Sequence, residues 1–297
     1  MNFDDADVEF EYKKRKELRR EDVEYLKEWL KTQQHLPKID DLEIIFFLTS
    51  CSYSIEMTKR TIDKHYTLKG LCPEIFKKRD LKTWKETLNA ILMLPLPKLT
   101  HEGYQIFYTK INNPDPNKYV FVDNVKCGEV IMKMTLRQRG TVNGLVFVLD
   151  LDGYSLAHIA GLPLMELKIL MTFLQEALPI QLKQFHCING GRRLDKIMLL
   201  VKPFLKKEMS DLIYVHSDYA KTLYNYLPQE CIPKELGGSS ESIHHLQEEI
   251  KAFIFNRMEL IEADEQLVVD ESKRVQKSYK FDHLFGIEGT FRKLELD

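Results

Sequence analysis

A chain of 297 residues, 44% hydrophobic and 30% charged, has room for one large domain or a domain plus a smaller one, with a core that needs no disulfide or metal staples. Its 13 glycines and 11 prolines exclude collagenous and low-complexity classes. With 43 basic against 45 acidic side chains the formal charge is −2, which argues against a dedicated nucleic-acid binder.

The elements are expected in the following order. Leu18, Val23, Leu26, Trp29 and Leu30 fall at helical spacing. Asp40 or Asp41 can cap the next helix, whose apolar run is Ile44 to Leu48. Ser54 opens a further helix that Gly70 and Pro73 close, and another is expected from Leu81 to Leu92, stopped by Pro95 and Pro97. The pattern then changes. Gly103 to Ile111 is rich in aromatic and β-branched residues and reads as a strand; Asn112 to Asn117 is a turn; Val120 to Arg139 is a helix. Gly144 to Gly153 is an apolar run without alternation, as in a strand buried on both faces. Met165 to Ala177 (helix), Lys183 to Asn189 (strand), Arg192 to Leu205 (helix), Leu212 to His216 (strand) and Tyr219 to Tyr226 (helix) follow. This alternation predicts an α/β fold with a mainly parallel sheet. A long helix is expected from about Ser242 to Ile261, and the tail from Val275 shows no period.

The five cysteines, Cys51, Cys72, Cys127, Cys187 and Cys231, are far apart and form no C-x-x-C pair, which fits reduced thiols. The first residues, MNFDDADVEFEYKKRK, are acidic where a signal peptide is basic. No run reaches the ~18 apolar residues of a membrane span. A soluble, cytoplasmic protein is expected.

Few constellations suggest chemistry. The strand Val148 to Tyr154 ends in Asp150-x-Asp152-Gly153, the way aspartate-dependent phosphohydrolases begin, with one carboxylate as nucleophile and the second handling a proton near Mg²⁺. The plainer reading is a strand end whose carboxylates satisfy turn N–H groups while Gly153 takes a positive φ. Gly190 to Arg193 (GGRR) follows a strand and opens a helix, so it could hold a phosphate or be an ordinary turn. His186 reads as a packed core residue. His244 and His245 are adjacent and lack a Cys or His partner at metal-ligand spacing, so no metal or cofactor is expected. The basic run Lys13, Lys14, Arg15, Lys16, Arg19 and Arg20 reads chiefly as a solvated helix face.

Five segments, in order, resemble the CRAL-TRIO lipid-binding family: Phe46 to Phe76, Gly144 to His158 with its Asp-x-Asp-Gly-aromatic followed by Ser and His, Phe185 to Asn189 (FHCIN), Val201 to Leu205 (VKPFL) and Ile232 to Gly238 (IPKELGG). The resemblance implies an N-terminal all-helical module over 1–93, a lipid-binding domain over 94–250 with a mainly parallel sheet flanked by helices and an apolar pocket under a helical gate, and a C-terminal helix and tail over 251–297. It implies a non-enzymatic, monomeric carrier of one hydrophobic molecule, such as a tocopherol-like or retinoid-like isoprenoid, with transient membrane contact. The gate would span about Arg192 to Leu212, with Leu194, Ile197, Leu200, Val201 and Leu205 facing the ligand. Val125, Met132, Leu145, Phe147, Leu149, Leu170, Phe173, Leu174, Ile180 and Phe185 would complete the wall. Lys183, Arg192, Arg193, Lys206 and Lys207 could form a basic patch against phosphate or membrane. Tocopherol-carrying members clamp a phosphoinositide headgroup with basic residues. The matching positions here are Glu208 and Leu212, and Phe47-Leu48-Thr49-Ser50-Cys51 replaces the third basic segment, so that clamp does not carry over. A phosphatidylinositol-type carrier and the Mg²⁺ phosphohydrolase are the alternative readings.

Overall fold

A computed structural model describes residues 5–76 and 80–275. The N-terminal part is helical: α1 (Val8–Lys14), α2 (Arg20–Thr32), α3 (Asp41–Ser50), α4 (Ile55–Leu71), α5 (Pro73–Phe76) and α6 (Leu81–Ala90). Side-chain caps set several of the starts, since a carboxylate or hydroxyl there accepts from an otherwise unpaired first-turn N–H. Asp40 caps α3 through the Glu43 amide at 2.8 Å, Ser54 caps α4 through Met57, and Asp80 caps α6 through Lys82 and Thr83.

The sheet has five strands in the order β1-β2-β3-β4-β5: β1 (Ile91–Pro95), β2 (Tyr104–Ile111), β3 (Gly144–Asp150), β4 (Leu182–Ile188) and β5 (Ile213–His216). Strands β2 to β5 are parallel, as the sequence alternation predicts, and β1 is antiparallel to β2. β1 corrects the expectation that Ile91 and Leu92 end a helix. ILMLP is buried at every position, so it carries no alternation to distinguish a strand from the last turn of α6.

The crossovers are α7 (Phe121–Arg139), then α8 (Leu156–Ala160) and α9 (Leu164–Glu176), then α10 (Gly191–Val201) with a 3₁₀ turn at Lys202–Phe204 and α11 (Lys207–Ser210). The expected Arg192–Leu205 helix is thus shorter, ending before Pro203, which cannot continue an α-helical hydrogen-bond ladder. Only α12 (Tyr219–Thr222) and a 3₁₀ turn replace the helix expected to Tyr226. The expected C-terminal helix is two, α13 (Ile243–Phe255) and α14 (Met258–Glu265), broken at Asn256–Arg257 where buried Arg257 turns to pair with Asp5 at 2.9 Å. The boundaries expected at 93/94 and 250/251 fall inside β1 and α13. Of the tail expected to lack a period, all but Val275 lies outside the described residues.

One large apolar core runs through the sheet, α6, α7 and α13, and reaches Leu42, Phe46, Leu68 and Phe76 of the helical part. An ionic cluster crosses the same seam. Glu43 (α3), Lys69 (α4), Glu129 and Lys133 (α7) and Asp264 (α14) are all at most 6% exposed. Lys133 bonds Glu43 at 2.5 Å and also Asp264; Lys69 bonds Asp264 at 2.8 Å and approaches Glu129 at 3.6 Å; the Tyr66 hydroxyl donates to Glu43 at 2.5 Å. Burial pushes the Asp264 carboxyl up, but the two ammonium groups beside it outweigh this and hold it far below the ordinary range. All five cysteines are buried free thiols.

Candidate functional site

Alternation along β3 points Leu145, Phe147, Leu149 and Leu151 to one side of the sheet, and α7, α9 and α10 cover that side without filling it. A cavity of about 230 Å³ remains, many times the share of one water molecule. Its floor is a row of stacked rings across three strands, Phe107–Phe147–Phe185, with centroids 5.5 and 5.1 Å apart. One wall is the α7 stripe Phe121, Asn124, Val125, Gly128, Glu129 and Met132, at i, i+3, i+4 spacing. Leu167, Leu170, Met171, Phe173 and Leu174 of α9 form a second wall.

The cover is α10. Leu194, Ile197, Met198 and Val201 face the cavity, with Leu205 beyond the helix end, while Arg192, Asp195, Lys196 and Leu199 face outward. Glycine is required where α10 enters: a Cβ on Gly190 would lie 2.7 Å from that of Leu194.

Thirteen of the fifteen residues expected at a pocket wall border this cavity. Ile180 does not; it lies after α9 and faces a separate cleft with Arg15, Tyr53 and Asn143. Leu200 is half-buried one position off the inward stripe of α10, because 3.6-residue periodicity carries Ile197 and Val201 inward and leaves 200 at the edge. The sequence reading missed Ile91 and Met93 of β1 and the polar lining residues Thr109, Tyr119, Asn124, Glu129 and Tyr154. The α7 stripe was a usable signal, obscured because Asn124, Gly128 and Glu129 interrupt its apolar character.

The expected basic patch does not assemble as one surface. Lys183 is at the start of β4, whereas Arg192 and Arg193 follow its far end, a strand length of roughly 20 Å away. Arg193 is spent internally, donating to the carbonyls of Asn189 at 2.8 Å and Tyr154 at 3.0 Å. Lys206 pairs with Glu176 at 2.8 Å, and its backbone N–H donates to Gln175.

The Asp150 and Asp152 carboxylates have structural partners. Asp150 is fully buried and accepts from the Tyr108 hydroxyl at 2.7 Å, Asn189 Nδ2 at 2.8 Å and the Asp152 amide at 2.9 Å, so it ties β2, β3 and β4 together at one end. Asp152 is exposed and held below the usual carboxylate range by its hydrogen bond from Lys110 at 2.7 Å. Gly153 has φ +88°, the conformation the turn reading requires. His186 is buried on the sheet face opposite the cavity, with its Nδ1 2.8 Å from His216 Nε2; burial, then the neighbouring His216, pushes it down to about 4. Among the described residues one trio of potential metal ligands converges, Glu241, His245 and Glu249, on the solvated face of α13.

A mainly parallel sheet whose one face carries an apolar cavity under an amphipathic helix defines a binding protein for a hydrophobic molecule. A family model described as the CRAL/TRIO domain matches residues 86–238, more than half of the chain, and the chain belongs to that family. Residues 15–86 match a Pinta-like UBA domain. An alpha-tocopherol transfer protein-like protein of Mus musculus is 24% identical over 233 residues, covering 77% of this chain and 68% of that one. Clavesin-1 of Xenopus laevis is 22% identical over 226 residues, covering 74% and 68%. The crystal structure of Sfh5 superposes with a TM-score of 0.45 at 15% identity, covering 70% of this chain and 75% of that one. Among the described residues no helix is long and apolar enough to cross a membrane.

Proposed function

We propose that this chain binds one bulky, neutral hydrophobic molecule of the tocopherol or retinoid class and carries it between membranes without catalysing a reaction. The observation that carries this is the unfilled apolar cavity between the phenylalanine row and α10. Burying about 16 carbons gives on the order of 10 kcal/mol gross, of which association costs take back roughly 4–15 kcal/mol. Tight holding therefore needs a covered site, and α10 supplies the cover. The tocopherol-transfer-like relative agrees with this reading. The distance of Lys183 from Arg192 and Arg193, the internal use of Arg193 and the pairing of Lys206 with Glu176 favour a neutral ligand over a phosphatidylinositol-type one. Leu199, 68% exposed on the outer face of α10, is suited to touch a bilayer during exchange.

Lipids extracted from protein purified from its native source and identified by mass spectrometry test this directly. A single isoprenoid species at near-equimolar occupancy is expected. A phosphoinositide in its place would transfer the proposal to phospholipid exchange, and no lipid at all would sink it.

A further inference from the structure

The cavity has one polar corner. Tyr119, Asn124 and Tyr154 meet there, on the loop before α7, the first turns of α7 and the turn after β3. Asn124 is 4% exposed; its amide is turned toward the Tyr119 phenol, yet its Nδ2 completes no hydrogen bond of normal length and angle. The two phenols share a single hydrogen bond, O···O 3.3 Å, so one of their two hydroxyl protons is left to donate. Both phenols are kept protonated, chiefly by burial. Their rings are braced by His158, edge-on to Tyr119 with centroids 5.4 Å apart; its Nδ1 accepts from the Ser155 amide at 3.0 Å. A buried amide donor without a partner costs free energy that an apolar side chain of the same shape would avoid. No cation is among the described residues that line the cavity, and Arg193 reaches this corner only at the Tyr154 carbonyl, 3.0 Å away. The charged residue of the lining, Glu129, is five positions further along α7 and belongs to the ionic cluster with Lys69.

We infer that Tyr119, Asn124 and Tyr154 form the anchoring site for the oxygen of the ligand, selecting a neutral lipid alcohol or carbonyl over a hydrocarbon. The inference rests on the carrier reading and goes beyond it by fixing which end of the ligand sits where. Asn124 Nδ2 and the spare phenol proton donate to one oxygen, while the hydrocarbon runs along the phenylalanine row toward α9 and α10.

The test uses the full chain and two probes, phytanol and phytane, which share one branched chain and differ by the hydroxyl. Protein is equilibrated with phosphatidylcholine vesicles carrying either tracer, then separated and counted. Wild type is expected to load phytanol about tenfold better than phytane, the size of one buried hydrogen bond. Asn124→Leu should abolish that preference while phytane uptake holds or rises. Equal loading of both probes by wild type would overturn the anchor and leave the carrier reading standing, the corner then being a site for water. Loading of neither probe by wild type would overturn the carrier reading with it. If Asn124→Leu loads neither, the ratio is read on Tyr119→Phe/Tyr154→Phe, which removes two oxygens and no bulk; a preference unchanged there also overturns the anchor.

Discussion

Helix α7 carries two buried regions built in opposite ways. Its Val125, Gly128 and Met132 border the cavity, whereas Lys133, together with Glu129 at the cavity's edge, enters a cluster in which charged groups pack with almost no exposure. The cavity gives up dispersion contacts that a packed core would make. The cluster takes on the desolvation of five charges. Each region forgoes stability that plain apolar packing would give, one for room and the other for fixed geometry. The cluster ties α3, α4, α7 and α14 into one frame, so the wall beside the cavity is held in place. His65 stands at the seam, in ring contact with Phe47 and Tyr66 on one side and with the cavity residue Phe173 on the other.

The largest expected effect tests the cluster. Lys133→Met removes a cation from between Glu43 and Asp264 and should cost about 3–5 kcal/mol in denaturant unfolding, because it strands buried carboxylates. Adding Asp264→Leu should recover part of that loss, and no recovery would show that the charges act independently.

Acidification comes next. His65 donates from Nδ1 to the Ala177 carbonyl at 2.8 Å, and burial, with Lys69 and Lys133 nearby, pushes it from 6.5 down to about 4. The unfolded chain therefore takes up a proton first as pH falls. Stability should drop below pH 6.5 at about 1.4 kcal/mol per pH unit for this residue, levelling near its folded value. His186, also pushed down to about 4, should add a similar slope. In urea titrations from pH 7 to 4, His65→Gln should lower the slope by one histidine's share; an unchanged slope would locate the pH dependence elsewhere.

A smaller effect on stability, with a large one on binding, separates cavity from core. A Cβ on Gly128 would meet only the Met93 side chain, its sulfur at an ordinary 3.5 Å and its methyl at 4.0 Å. Gly128→Leu should therefore fold normally, gain up to about 1 kcal/mol from helix propensity, and lose lipid uptake by occupying the space. Undiminished uptake would mean that the cavity is not the ligand site. Smallest in stability is Lys206→Glu/Lys207→Glu, expected within about 0.5 kcal/mol of wild type because both residues are exposed. Transfer to anionic vesicles should nevertheless slow, and equal rates would remove these lysines from membrane contact.

Much of this was legible in the chain. Alternating strand and helix signals located β2 to β5 and their crossovers, Ser54 marked one helix start, and the pair Asp40 and Asp41 marked another, of which the structure uses Asp40 as the cap. Glycine at 153 and two aspartates before it described a turn. β1 was hidden because a strand buried at every position has no period, and nothing local marks the break at Asn256–Arg257, where Arg257 pairs with Asp5, some 250 residues away. The cluster was equally invisible: Glu43, Lys69, Glu129, Lys133 and Asp264 lie on four different helices, and no local spacing marks them as partners.

The sequence by itself determined the class of fold, since hydrophobic periodicity depends only on neighbours along the chain, while the family resemblance, not periodicity, pointed to the apolar side chains around the cavity. The tertiary structure alone decided that those side chains leave space between them, that Ile180 and Leu200 turn elsewhere, and that one asparagine and two tyrosines meet at a single corner. Spacing along a chain specifies a face. Volume, burial and an unpaired donor are properties of what that face meets, and they exist only once distant segments have packed.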